Sequence, residues 1–209
     1  MTTLLIAGAT GLVGNHALLM ALADERIARV IAPTRRALQP HPKLMNPKAD
    51  FDDLPADAPW WNVDAVLCAL GTTIAQAGSE AAFRKIDFDY VLAVARHARA
   101  HGAKAFALTS SLGANAASRN FYLRTKGEIE ASLRDCGFAS LTFVRPSMIG
   151  GERERARPLE HFGMRMMRIA EPLIPRRYRV VPAERIARAL IESALAAAPG
   201  CKVVESDAL

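Results

Sequence analysis

Short apolar runs alternate with longer amphipathic stretches along most of the chain. Residues 3–7, 29–32, 65–70, 105–109 and 141–144 are runs of four to six residues, and Gly8, Pro33, Gly71 and Pro146 stop four of them. Such brief, continuous apolar runs are the pattern of strands buried on both faces. A short third strand is expected at 49–51 and a last one at 203–205. Between them, residues 14–23, 79–101, 121–136 and 183–198 carry helical periodicity. Ser79 is placed to cap the second helix, while Gly102 and Gly137 stand where helices end in a left-handed residue. Strands alternating with helices of ten or more residues predict an α/β fold. It is a doubly wound parallel sheet of the Rossmann type, with right-handed crossovers. Residues 151–180 break the alternation and read as an insertion on the substrate or partner side.

Composition narrows this. The chain has 209 residues, 51% hydrophobic and 23% charged, enough for one domain over 1–209 with a core that needs no disulfide or metal. Three cysteines without tight spacing, Cys68, Cys136 and Cys201, are expected as small buried hydrophobes. His97 and His101 are one turn apart with no third ligand in view, so no metal site is expected. No apolar run reaches the roughly 18 residues of a membrane helix, and the first apolar stretch has no basic residue before it. A cytoplasmic protein is the expectation. The net charge of +6 favours anionic partners without choosing among them. No nucleic-acid-binding motif is present, and no motif indicates a homodimer or a protein partner.

The chemistry begins at GATGLVG, residues 8–14, directly after the first strand and opening the first helix. Gly8, Gly11 and Gly14 permit a tight turn, and the backbone of Ala9, Thr10, Leu12 and Val13 completes it. Amide N–H groups and the positive end of the helix dipole suit a pyrophosphate there. At the end of the second strand an acid would read a ribose 2′-hydroxyl; this chain has Arg35 and Arg36, which suit a 2′-phosphate. The expected cofactor is NADP(H) in preference to NAD(H).

Tyr122 and Lys126 are four residues apart on an expected helix and share a face. Ser110 and Ser111 end the fifth strand, at the carboxyl edge where such sheets bind ligands. Reducing a carbonyl leaves an alkoxide that needs a proton. A phenol is a poor acid–base group at neutral pH until a nearby ammonium favours its anion. A serine hydroxyl can hold the substrate oxygen.

With these motifs in place, the chain resembles the short-chain dehydrogenase/reductases of the extended or atypical type. More narrowly it resembles the Tat-interacting-protein reductase group. The segments that carry the resemblance are GATGLVG, LCALGTT at 67–73, AFRKIDFDYVLAVARHARAHGAKAF at 82–106, LTSSLGA at 108–114, FYLRTKGEIE at 121–130 and FVRPSMIGG at 143–151. The resemblance implies Tyr122 as acid–base, Lys126 as its partner and a serine, Ser111 in preference to Ser110, as hydroxyl donor. It further implies cofactor contacts at Asp50 and Phe51 (adenine), at Leu70, Gly71 and Thr72 (ribose and pyrophosphate), and at Pro146, Ser147 and Met148 (carboxamide). The long substrate domain of extended members has no counterpart of that size, which argues against nucleotide-sugar chemistry. An alternative consistent with the resemblance is a redox sensor that binds NADP(H) and signals to a protein partner without turnover.

Between Gly151 and Val180 stand eight arginines, at 153, 155, 157, 165, 168, 176, 177 and 179, against four glutamates. That excess of positive charge reads as a mouth for a small carbonyl compound that is anionic or amphiphilic, or as a patch for a partner. Asp87 and Asp89 read as structural helix residues, and Trp60 and Trp61 as packing at the sheet edge or on a second subunit.

Overall fold

The computed structural model describes residues 1–150 and 175–209. In chain order the strands are β1 Thr2–Ala7, β2 Ile27–Ile31, β3 Leu44–Met45, β4 Ala65–Cys68, β5 Ala105–Thr109, β6 Ser140–Arg145, β7 Met148–Gly150, β8 Val180–Pro182 and β9 Gly200–Glu205. The helices are α1 Leu12–Ala23, α2 Ile74–Ala77, α3 Glu80–Arg84, α4 Tyr90–Ala100, α5 Phe121–Arg134 and α6 Ala183–Ala196.

Seven strands form one sheet in the order β3-β2-β1-β4-β5-β6-β9, and every pair is parallel. The doubly wound α/β expectation therefore holds. The order reverses between β1 and β4, and the crevice at such a reversal is where these sheets bind ligands. Strand alternation divides the core cleanly. Leu4, Ile6, Leu67, Ala105 and Ala107 face α1 and α6, meeting Val13, Ala17, Ile186 and Leu190. Leu5, Val66, Phe106 and Leu108 face α4 and α5, meeting Val91, Val94, Ile129 and Leu133. Trp60 and Trp61 belong to this second layer, Trp61 being fully buried and stacked on His97 at 5.1 Å, so they are core packing rather than edge or subunit contacts.

The third strand is not at 49–51. Val30, Ala32 and Thr34 donate their amides to the carbonyls of Lys43, Met45 and Pro47, so the strand runs earlier, through a proline-flanked segment. The prolines hide it from a pattern search, yet an edge strand tolerates residues without an N–H when its carbonyls do the pairing. Asn46 fixes the turn beside it, donating to the Ala32 carbonyl at 2.6 Å and to Thr34 Oγ1 at 2.8 Å.

The long stretch expected at 79–101 is interrupted by a π turn, Lys85–Asp89, between α3 and α4. Ser79 caps it as expected, accepting from the Ala82 amide at 3.1 Å. β7 and β8 form a small separate parallel pair that the sequence pattern does not reveal. Cys68 is buried, whereas Cys201 is exposed on the outer strand β9, contrary to expectation. Most of the 151–180 insertion lies outside the described residues. No helix among the described residues is long and apolar enough to cross a membrane.

Candidate functional site

The glycine turn leaves β1 and enters α1 with Gly8 at φ +89°, a left-handed conformation that favours glycine. A Cβ on Gly8 would sit 2.7 Å from the Ala69 backbone, and one on Gly14 would sit 2.0 Å from the Gly8 carbonyl oxygen. Both glycines are thus demanded by the protein's own packing. Gly11 differs. It is exposed, and a Cβ there would meet only the Gly8 oxygen, at 3.3 Å. Gly11 also stands at the N-cap of α1 with no side chain capping the helix. Bare amides at a helix start beside a residue without a side chain fit a pyrophosphate. Ala9 and Val13 are buried behind the turn, while Thr10 is exposed and Leu12 half-buried on its rim.

Across the strand reversal, Leu70, Gly71 and Thr72 leave β4 next to the charged centre of the site. Lys126 projects from α5 into a buried position, with Nζ 2.7 Å from Asp87 Oδ1 and 3.4 Å from the Thr109 carbonyl. Thr72 donates its amide to Asp87 Oδ2 at 2.9 Å, and a Cβ on Gly71 would lie 3.3 Å from Asp87 Oδ1. Burial on its own would drive the Lys126 pKa down. The Asp87 carboxylate, assisted by Tyr122 and Cys68, outweighs that and holds it above the ordinary lysine value. Cys68 lies near the same pair, and burial pushes its thiol up to about 12.

Asp87 is the residue that sequence reading assigned only a structural part. Its place in the π turn points it at Lys126, and π turns recur at functional sites. A pattern for it exists. Phe83, Asp87 and Val91 are spaced four apart and all buried, so an acid falls on an apolar helix face and requires a cation.

Tyr122 sits half-buried in the first turn of α5, its ring 5.3 Å from that of Phe83. Asn120 starts this helix by accepting from the Leu123 amide at 3.1 Å. A Cβ on Gly127 would lie 2.1 Å from the Ala116 nitrogen, so this glycine lets the loop after β5 press against α5. That loop carries Ser110 and Ser111. The two serines differ. Ser110 Oγ donates to Glu130 Oε1 at 2.6 Å within a buried network, whereas Ser111 Oγ finds only the Leu112 carbonyl at 3.4 Å. Of the two, Ser111 has the less engaged hydroxyl. The Leu112 amide donates to Pro146, which brings the serine loop alongside the Pro146–Ser147–Met148 turn. Met148 is 54% exposed.

The other end of the crevice is separate. Arg35 and Arg36 are exposed just beyond β2, and among the described residues neither has an ion-pair partner. Thr34 accepts the Ala49 amide, which sets Asp50 and Phe51 beside them. Asp50 is exposed, and the Phe51 ring lies 5.7 Å from Tyr90. Thus the arginines and the Asp50 segment lie together beyond β2, Lys126, Asp87, Tyr122 and Thr72 lie together at α5, and the glycine turn packs against Ala69 and Leu70 between them.

The profile of the NAD(P)H-binding family matches residues 8–198. The chain is 35% identical to mitochondrial FMP52 of Candida albicans over 164 residues, 74% of this chain and 70% of that protein. It is 36% identical to rat HTATIP2 over 160 residues, 74% of this chain and 66% of that protein. Among solved structures, MoeE5 in complex with UDP-glucose and NAD superposes with a TM-score of 0.73 at 17% identity, covering 96% of this chain and 74% of MoeE5. A putative NAD-dependent epimerase/dehydratase from Bacillus halodurans gives 0.69 at 18%, covering all of this chain and 97% of that one. At such identities the structural likeness speaks for the fold alone.

One expectation is overturned. The fungal relatives are named mitochondrial, which conflicts with a cytoplasmic placement. The first apolar stretch is strand β1 and the glycine turn, so its lack of basic residues describes the fold and carries no address. The sequence match, the strand order and the glycine turn agree: the chain belongs to the NAD(P)H-binding family, has a Rossmann fold, and is related to HTATIP2 and FMP52.

Proposed function

We propose that the protein is an NADP(H)-dependent oxidoreductase that interconverts a carbonyl and an alcohol, with Tyr122 as acid–base. The observation that carries this reading is the buried Lys126 ammonium, fixed by Asp87 and within electrostatic reach of Tyr122 one helical turn away. A bound nicotinamide supplies or takes the hydride. The rest falls to the chain. Ser111 donates a hydrogen bond to the substrate oxygen, and Tyr122 gives that oxygen its proton as the hydride arrives at carbon. The charge of Lys126 stabilises the phenolate left behind. An ammonium has three N–H donors; the Thr109 carbonyl takes one and Asp87 stands at ion-pair distance, which leaves donor capacity for the phenolate or a ribose hydroxyl. Arg35 and Arg36 support the 2′-phosphate preference, because neither is tied to an acid among the described residues.

NADPH oxidation with a panel of aldehydes, ketones and quinones tests the reading. Tyr122→Phe is expected to lower kcat about 10²- to 10⁴-fold while leaving the melting temperature unchanged; an undiminished rate refutes the assignment. Calorimetry tests the cofactor. Arg35→Ala with Arg36→Ala is expected to weaken NADP at least about tenfold more than NAD, and an unaltered preference removes these arginines from the site. A chain that bound NADP(H) yet turned over nothing on the panel would favour the sensor reading.

A further inference from the structure

A second concavity is walled by the residues leading into β8, the first turn of α6 and the residues after β9. It has a volume of about 240 Å³, and Arg176, Arg179, Arg185, Ser206 and Asp207 are among the residues lining it. Among the described side chains, Arg176 and Arg185 face a single acid in these walls, Asp207. Among the described residues neither Arg176 nor Arg185 makes an ion pair, and the adjacent acid on α6, Glu184, is engaged by Arg188 at 3.0 Å. Gathering cations in a concave site costs self-repulsion, and it focuses a field that draws anions. Guanidinium forks match the oxygens of a carboxylate or a phosphate.

The walls connect directly to the turn at Pro146–Met148. Ser147 donates its amide to Ser206 Oγ at 3.1 Å, and its hydroxyl donates to the Arg179 carbonyl. Ser206 Oγ in turn donates to Ser147 Oγ at 3.1 Å. Ser147 thus hydrogen-bonds two residues of the cavity wall, and its neighbour Pro146 accepts the Leu112 amide from the loop of Ser111. Whole-ligand pockets usually measure about 300–1,000 Å³. A space of about 240 Å³ suits the end of a molecule better than all of it.

We propose that this cavity binds the anionic end of the substrate, which is then a carbonyl compound bearing a carboxylate or phosphate at its far end. The inference rests on the oxidoreductase reading, since the reacting carbonyl sits at Tyr122 and Ser111. The anionic group itself undergoes no reaction.

The test compares matched pairs in NADPH oxidation: 6-oxohexanoate against hexanal, and glyceraldehyde 3-phosphate against glyceraldehyde. The anionic member of at least one pair is expected to have a kcat/KM about tenfold higher or more, with the pair showing whether carboxylate or phosphate is read. In Arg176→Gln with Arg185→Gln, folded to the same melting temperature, that ratio is expected to collapse toward one. A readout without turnover accompanies it: calorimetry of the NADP-loaded protein with adipate and with glycerol 3-phosphate. Binding that weakens about tenfold in the double variant supports the cavity, even if no aldehyde is reduced and the oxidoreductase reading fails. Turnover of the neutral and charged members at equal kcat/KM, or anion binding indifferent to the two substitutions, overturns the inference while leaving the hydride chemistry intact.

Discussion

Helix α5 buries two charges one turn apart, and they have opposite characters. Glu130 is saturated. Arg145 approaches it with two nitrogens, at 2.9 and 2.6 Å, Ser110 donates to it, and Arg134 stands 3.6 Å away. Arg145 also reaches Glu205 at 3.1 Å, so the network ties α5 and β5 to β6 and the outer strand β9. Lys126 has one carboxylate and one long carbonyl contact, and it faces the crevice. The contrast separates structure from chemistry on the same few residues. A buried charge whose partners exhaust its hydrogen-bonding capacity holds the fold. One with capacity to spare, at the edge of a crevice, is equipped to act on a ligand.

The contrast is sharpest in stability. Removing one member of a buried ion pair strands the other, at about 3–5 kcal/mol. Glu130→Ala, which leaves Arg145 with Glu205 alone, is expected to lower the unfolding free energy by up to that amount in urea melts, with Glu130→Gln milder. A stable Glu130→Ala protein would show that the network does not hold the fold.

Asp87→Asn probes the other charge. Lys126 then loses its counter-charge, burial lowers its pKa, and the ammonium is lost as pH rises through the lowered value. The expected result is a kcat/KM that falls about tenfold between pH 7 and 9 in the variant. In the native protein the raised pKa keeps the ammonium charged across that window. Parallel profiles would make Asp87 a packing residue only.

The smallest effect concerns Cys68. Its thiol stays protonated to about pH 12 in the folded protein, against about 9 when exposed. A raised pKa contributes stability that is complete below the unfolded value and is lost as pH climbs above it, at up to about 1.4 kcal/mol per pH unit. A thiol reagent at pH 8 is expected to modify Cys201 at once and Cys68 only on unfolding. Prompt labelling of Cys68 would contradict the packing around Lys126.

Much of this was legible in the residues. The five main strands, the glycine turn, the Tyr122–Lys126 spacing and the serines at the end of β5 follow from periodicity and chemistry that act locally. What escaped is what depends on pairing across space. β3 was hidden because it is only two residues long between flanking prolines and its segment pairs through carbonyls, which no pattern of side chains records. Asp87 and Glu130 were overlooked as working residues because a helix sequence shows that a charge is present, not which strand end receives it. Gly127 looked ordinary, although the Ala116 backbone occupies the space its side chain would fill. Compartment was not legible from the opening stretch, since those residues are committed to a central strand.

That central strand has a kinetic consequence. β1 pairs in parallel with β2 and with β4, and no two strands of the sheet form a hairpin. Every ladder must wait for a crossover to close, so β1 gains its second neighbour only after residues up to Cys68 have emerged. Folding of this sheet is therefore expected to be slow compared with that of helical bundles of similar size, and its nascent edges depend on timely helix docking to stay out of aggregates.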